Sequence, residues 1–524
     1  MNFPVCILTA GRGTRMGPYA GVINKALLPY QGKAILSHIM DGFPAGTPFV
    51  IALGHRGDQV RDYLTAAHPD DNITYVTVDN YDQPGSGPGY SIWCCRKHLQ
   101  RPFYFVAADT VAEFDRHESG TENWAGVGLL PSETARRMCN FTANTDGFID
   151  KIYDKVLPPK KDKGADSMMS FTGLMFIKDY KLFWDALAKP ETVAGEVQIS
   201  AGLKALVAAG NLRAREVGWM DFGILDDYRR LAITPLPYDF SKTDEFIYFR
   251  AGRVIKFFSD AQIAASRVEK GNLRPEIFPA TTRVGEQFYY YQRIPGESLQ
   301  GELTPSLYEK YINWLDENLW QIPRKLDADT FSAGCRKFYE DKTRERLKLF
   351  YEKCPDFIEP KTVNGAAVHP MDELLAKIKF EELAIGIPRF IHGDLHPDNT
   401  IYDDEKFTLI DWRQDFAGEI MYGDWYYDLA KLLGCIYVNY DLIKLGLMKV
   451  RHDGAALEFD YARRANTFAY QEILREYAAR YGLEWRRIMI LTALIYLNMA
   501  PLHTAPFDLL LYGLAQQLLT EIFA

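Results

Sequence analysis

The sequence predicts an α/β domain followed by an α+β domain, and three observations carry that reading. Between Pro4 and Thr110, short apolar runs alternate with loops and helix-like segments, the rhythm of strands buried in a parallel sheet. From Leu231 to Asp244 the pattern breaks into two prolines and a polar cluster, which sets a boundary near residue 238. Beyond it a hairpin-like run, Phe246 to Phe258, gives way to helical periodicity such as LYEKYINWLDENLW. The predicted domains are 1–238 and 239–524, the second split into a small lobe to about 300 and a large lobe from about 301.

Composition bounds the function. A chain of 524 residues exceeds one ordinary core, and 47% hydrophobic with 25% charged residues suits a soluble globular protein. A formal net charge of −9 argues against a general nucleic-acid or acidic-membrane binder, so anionic substrates must be met by local Lys and Arg. Seven cysteines, an odd number at mostly apolar positions, give neither a disulfide framework nor zinc spacing. No apolar run reaches the roughly 18 residues of a membrane span, and MNFPVCILTAGRG lacks a cationic leader. The expected location is the cytoplasm.

Pro4 to Thr9 reads as a buried strand running into Ala10-Gly11-Arg12-Gly13-Thr14-Arg15-Met16. Glycines at 11 and 13 let the backbone close on a phosphate, and Arg15 can fork onto its oxygens. Asn24-Lys25-Ala26-Leu27-Leu28-Pro29 places a lysine before a short apolar segment. Together, G-x-G-[ST]-R-M and K-x-L-L-P resemble the nucleotidyltransferases that join sugar phosphates or phosphocholine to a nucleotide, over about residues 1–232. The resemblance implies a Rossmann-like mixed sheet and a nucleotide-binding set of Ala10, Gly11, Gly13 and Thr14, with Arg15 and Lys25 catalytic. It also makes Gln83 and Gly87, in the turn DQPGSGPGYS, the readers of the base. Asp109 ends the apolar strand FYFVAAD, at the sheet edge where ligands bind. By the resemblance Asp109 and Asp221, the latter in WMDFG, hold Mg2+, an ion that keeps most of its octahedron for water and phosphate. The family usually has Thr where this chain has Ile224. Glu196 and Lys155 are the implied acceptor contacts, and the run Lys160 to Lys163 reads as a surface loop. The phosphomonoester acceptor of such a reaction is already largely dianionic near neutral pH, so no general base is expected in this half.

In the second half Lys256 sits mid-strand among apolar residues, and Glu269 lies in the following helix-like run. Tyr289 to Leu299 reads as strand, hinge and turn. The most informative stretch is IHGDLHPDNTIYDDEKFTLIDW, Ile391 to Trp412. Moving a phosphoryl group to an alcohol requires a carboxylate for the hydroxyl proton and oxygen ligands for magnesium. Asp394 suits the first task; Asn399 and Asp411 suit the second. With YGDWYYDLAKL downstream, this stretch resembles the choline kinase and aminoglycoside phosphotransferase family, a branch of the protein-kinase-like two-lobed fold. That resemblance implies Lys256 on the nucleotide phosphates with Glu269 as its partner. No G-x-G-x-x-G precedes Lys256. Asp428 is expected to fix the loop. Trp412, Trp425, Tyr426 and Tyr427 are core residues or faces for a quaternary ammonium.

Both resemblances together imply a bifunctional, Mg2+-dependent enzyme. It would phosphorylate a choline-like alcohol or amino-alcohol with ATP, then transfer CMP from CTP to the product for surface-glycan precursors such as capsule or lipopolysaccharide. The alternative is a sugar kinase fused to a UTP- or GTP-dependent sugar-1-phosphate nucleotidyltransferase. Partners are then small molecules, with no nucleic acid or membrane, and a homo-oligomer is left open.

Overall fold

The computed structural model describes residues 2–114, 120–158, 167–188, 192–193, 195–232, 242–323 and 326–524. The boundary near 238 and the Lys160–Lys163 loop lie outside them. Two compact units emerge. Met1–Thr234 with Lys242–Ala261 and Arg283–Tyr290 form the first; Gln262–Thr282 and Tyr291–Ala524 belong to the second.

The first unit is built on a mixed sheet, nine-stranded among the described residues. Val5–Leu8 is its centre, parallel to Phe49–Leu53 and Phe103–Ala107, while Ser167–Ile177 adds antiparallel to Phe103–Ala107. The central strands are buried on both faces, which is why they read as unbroken apolar runs. Parallel order puts the ends after Leu8 and Ala107 on one edge, bringing the glycine loop and Asp109 together.

The hairpin Glu245–Arg250 and Arg253–Phe258 belongs to the same unit. Phe246, Tyr248, Ile255, Phe257 and Phe288 share a core with Ile35, Tyr63 and Leu64. The Tyr248 hydroxyl donates to the Leu27 carbonyl at 2.7 Å, and Arg253 donates to the Ala66 carbonyl at 2.7 Å.

The second unit is mostly helical. Trp425–Tyr437, Trp485–Met499 and Phe507–Phe523 pack around a large apolar core. A hairpin, Thr400–Asp403 with Lys406–Leu409, carries the chain from Asn399 to Asp411. Among the described residues no helix is long and apolar enough to cross a membrane. All seven cysteines are free thiols.

Candidate active sites

In the first unit the strand end at Thr9 is pinned to its neighbour, with backbone N–H and hydroxyl both donating to the Ala52 carbonyl. Gly13 adopts φ 63° as the chain turns into the short helix Thr14–Gly21, and a Cβ there would press on Lys25 at 3.3 Å. Asn24, fully buried, sets the lysine: its Nδ2 donates to the carbonyls of Thr9 and His55, and its Oδ1 accepts from Ala26 N–H. Lys25 Nζ then reaches Asp109 Oδ2 at 2.6 Å.

Asp221 arrives from the antiparallel pair Gly218–Asp221 with Thr110–Glu113, in register with Thr110. Its Oδ1 accepts from Gly223 N–H at 2.8 Å, and Phe222 N–H donates to the Asp109 carbonyl at 2.8 Å. A Cβ on Gly223 would lie 2.8 Å from Asp221 Oδ1, 3.1 Å from Asp109 Oδ2 and 3.7 Å from an Arg15 nitrogen. Arg15, Lys25, Asp109 and Asp221 therefore converge, and glycine keeps that convergence open.

The charges are uneven. Burial would raise the Asp109 carboxyl, but Lys25 outweighs it and holds the group below its ordinary value. Asp221 is pushed up to about 6 by burial and then by Asp109. Two close carboxylates with a single contacting lysine are an under-neutralised pair, and they fit a divalent cation that takes its other ligands from water and phosphate.

The turn from Gln83 to Gly89 is fastened to the segment carrying Glu196. Gly85 N–H donates to Gly195 O at 3.0 Å and Val197 N–H to Ser86 O at 2.9 Å. Gly87 (φ 129°) is required, because a Cβ would sit 2.7 Å from the Val197 carbonyl. Gln83 is exposed, its amide donating to Asp82. Lys155 and Glu196, both half-exposed, pair at 3.3 Å.

In the second unit the HGD loop is cast on Asp428. Fully buried, that carboxylate accepts from the backbone N–H of His392 (2.9 Å) and Gly393 (2.8 Å), and from Trp320 Nε1 (3.0 Å). His392 Nε2 lies 2.9 Å from the Ile410 carbonyl while Asp394 N–H donates to Nδ1, which sets a neutral Nε2–H tautomer. Burial first, against the pull of Asp394, drives the His392 pKa down to about 3.

Asp394 Oδ1 takes Lys431 Nζ at 2.6 Å. Asn399 closes the loop: Nδ2 donates to the Asp394 carbonyl at 2.9 Å and lies 3.0 Å from His396 Nε2. With Nδ2 so engaged, Oδ1 is the amide atom suited to a cation. Asp411 follows at φ 59°, in the left-handed region. Ile410 N–H donates to the Asn399 carbonyl and Arg413 N–H to the His392 carbonyl, so the two loops are laced together. One amide oxygen and one carboxylate again suit magnesium bound mainly through phosphate.

Lys256 is buried mid-strand in the first unit, opposite Ile247. Glu269 is exposed on the helix Ala261–Leu273, whereas the adjacent Lys270 is buried and donates to the Arg413 carbonyl at 2.9 Å. Burial, opposed by Asp428, draws Lys270 down to about 7. Lys431, Lys270, Lys342 and Arg413 carry no motif of their own and escape a reading of the sequence.

Residues 5–113 match the MobA-like NTP transferase domain, and residues 250–467 match the phosphotransferase enzyme family. The bifunctional protein GlmU of Methanococcus maripaludis is 24% identical over 225 residues, 41% of this chain and 50% of that protein. The chain thus spans about half the length of the GlmU relatives it matches. The UTP–glucose-1-phosphate uridylyltransferase AglF of Haloferax volcanii is 22% identical over 233 residues, 42% of this chain and 91% of that protein. Among solved structures, UDP-glucose pyrophosphorylase with UDP-glucose aligns at 16% identity and TM-score 0.38, covering 44% of this chain and 97% of its own. The CTP:phosphocholine cytidylyltransferase LicC of Streptococcus pneumoniae aligns at 18% identity and TM-score 0.36, covering 44% and 98%. The chain carries a MobA-like NTP transferase domain with a Rossmann-like mixed sheet on its N-terminal side and a phosphotransferase domain of kinase-like fold on its C-terminal side.

Proposed function

We propose that the two halves act in sequence on one small molecule, the second half first. The observation that carries this reading is the pairing of two complete reactive sets, Asp394, Asn399 and Asp411 in one unit and Arg15, Lys25, Asp109 and Asp221 in the other. In the first step an alcohol oxygen bonds to the γ-phosphorus of ATP, the bond from that phosphorus to the β-phosphate oxygen breaks, and ADP leaves. Asp394 orients the hydroxyl and receives its proton. In the second step an oxygen of the new phosphomonoester attacks the α-phosphorus of a nucleoside triphosphate and pyrophosphate leaves. That nucleophile is already ionised, so Lys25, Arg15 and the loop N–H groups need only position it and offset charge. Magnesium, held by Asp109 with Asp221 and by Asn399 with Asp411, would neutralise phosphate oxygens in both steps.

The sequence suggests CTP and a choline-like acceptor. The phosphate chemistry supports a small alcohol, but the aromatic faces that a quaternary ammonium would use are engaged otherwise. Trp412 lies under Gly271 with its Nε1 on the Arg267 carbonyl, Arg389 covers Trp425, Arg487 covers Tyr426, and Tyr427 packs on Phe338. The second reading, a sugar kinase with a UTP- or GTP-dependent sugar-1-phosphate nucleotidyltransferase, is favoured by the match to AglF over 91% of that protein.

The test uses Asp394→Asn with Mg2+, ATP and each of CTP, UTP and GTP. It should abolish pyrophosphate release from the free alcohol and spare release from its phosphorylated form. Loss of both together would overturn the division of labour. The base that supports release separates the two readings.

A further inference from the structure

Beside Asp394 the second unit gathers more positive charge than its own acids balance. Lys342 opens the helix Lys342–Lys353 directly after a π-helical turn, Lys337–Asp341. Its Nζ sits 4.1 Å from the centroid of the Phe338 ring, and the Arg413 guanidinium lies 4.9 Å from the same ring. Phe338 in turn packs on Phe416 and on Tyr427, one turn before Lys431 on its helix. A Cβ on Gly393, the neighbour of Asp394, would come 2.7 Å from Arg413 Cβ. Lys342, Arg413, Lys431 and Asp394 thus surround one aromatic floor.

The acids at hand are engaged. Asp394 takes Lys431, Asp415 Oδ1 accepts from Gly418 N–H, and Glu340 pairs with Arg344. Among the described residues no carboxylate lies within ion-pair distance of Lys342 or Arg413, and Arg413 spends only Nε, on the Asp415 carbonyl. Both side chains are half-buried, as is Arg346 nearby. Burial first, then Arg413, Lys431 and Arg346, pulls Lys342 down to about 6. An anion bound beside Lys342 and Arg413 would offset that repulsion and favour the charged form of the lysine, whereas an ammonium group would add to it.

We infer that the acceptor alcohol carries an anionic group, a carboxylate or a phosphate, which Lys342 and Arg413 hold while its hydroxyl meets Asp394. This rests on the kinase reading above and names its substrate class. A carboxylate-bearing alcohol would leave the product a single phosphomonoester, as the nucleotidyl step requires. A phosphate-bearing one would leave two.

The experiment measures ATP consumption by the full chain with Mg2+ against matched acceptors. Glycerol, glucose, ethanolamine and choline form one arm, glycerate and glucuronate a second, glycerol 3-phosphate and glucose 6-phosphate a third. One charge-assisted contact is worth about 10- to 100-fold, so the better of the two anionic arms should exceed the first by at least that in kcat/KM. Lys342→Met and Arg413→Met should each raise the KM for the anionic acceptor by about 10- to 100-fold and leave the KM for ATP in place, with Lys342→Arg retaining most of the affinity. Preference for choline, ethanolamine or a neutral alcohol would overturn the inference and keep the kinase. A rise in the KM for ATP alone would assign the cations to nucleotide phosphates and overturn it as well. No consumption with any acceptor would remove the kinase reading and the inference with it.

Discussion

Lys431 Nζ lies 2.6 Å from Oδ1 of the partly exposed Asp394. Burial alone would raise the Asp394 carboxyl, but Lys431, seconded by His396, holds it well below the usual carboxylate range. The lysine thus keeps Asp394 ionised and fixes one of its oxygens, leaving the other to meet a hydroxyl.

The lysine is therefore open to test. In Lys431→Met the main charge opposing burial is gone, leaving only His396 and His392, so Asp394 should protonate at higher pH and lose its orientation. Kinase kcat should fall by about 100-fold, the lower part of the range for a positioned acid–base group. The acid limb of the pH–rate profile should move upward. Pyrophosphate release from an already phosphorylated acceptor should stay at the wild-type rate, since Asp394 has no part in it. An unchanged acid limb would show that Lys431 only packs.

Gly223 separates the halves in the opposite direction. Its missing side chain leaves the space that Asp221 Oδ1, Asp109 Oδ2 and Arg15 share, with a Cβ 2.8, 3.1 and 3.7 Å from them respectively. Gly223→Ala should displace a carboxylate and cut nucleotidyl transfer at least about 100-fold, because a misplacement near 1 Å carries that penalty. ATP-dependent phosphorylation should continue. Metal titration by calorimetry should show weakened Mg2+ binding in the same variant.

The hairpin contact is a stability prediction. Tyr248 and Leu27 are both fully buried, and the Tyr248 hydroxyl satisfies the Leu27 carbonyl at 2.7 Å. Tyr248→Phe keeps the ring against Tyr63 but strands that acceptor. It should lower unfolding free energy by about 1–3 kcal/mol, the penalty for an unsatisfied buried group. Leu27 closes the short turn Lys25–Leu27, so the KM for the nucleoside triphosphate should also rise. Denaturant unfolding and nucleotidyl kinetics measure the two effects.

These cases show what a linear reading can reach. Asp109 was legible because the chain leaving a parallel strand, here Phe103–Ala107, emerges at the sheet edge, and Asp394 because HGDLHPDN contains local hydrogen bonds that shape its own turn. Asp428 was legible as a loop-holder only through the resemblance carried by YGDWYYDLAKL, since its bonds to His392 and Gly393 span more than thirty residues. Lys342 and Arg413 were not, because they meet only through the Phe338 ring, across long sequence separations and with no periodic signal. Helix register hid Lys270 in the same way. A charged pair of neighbours, Glu269 and Lys270, gives no hint of which side chain turns inward. That Phe246 to Phe258 packs in the core of the first unit was equally hidden, since an amphipathic hairpin does not name its partner surface.

The last prediction concerns pH and the same hairpin. The His68 side chain is fully buried, with Ser37 Oγ at 2.8 Å, Asp71 Oδ2 at 2.5 Å and two Arg250 nitrogens at 3.1 Å. A guanidinium only donates, so the imidazole beside it must stay neutral to accept. Burial first, and Arg250 next, hold its pKa below the ordinary value. The unfolded chain therefore binds a proton near pH 6.5 that the folded one refuses, and stability drains away as pH falls through that value. Arg250 is also tied to Asp41 at 2.7 Å, so protonation of His68 should loosen the anchor of the Glu245–Arg250 strand. Between pH 7 and pH 5 the wild type should lose thermal stability more steeply than His68→Gln, whose amide offers an acceptor without a titratable nitrogen. Parallel melting curves for the two proteins would show that folding does not shift the His68 pKa and that His68 does not couple the hairpin to pH.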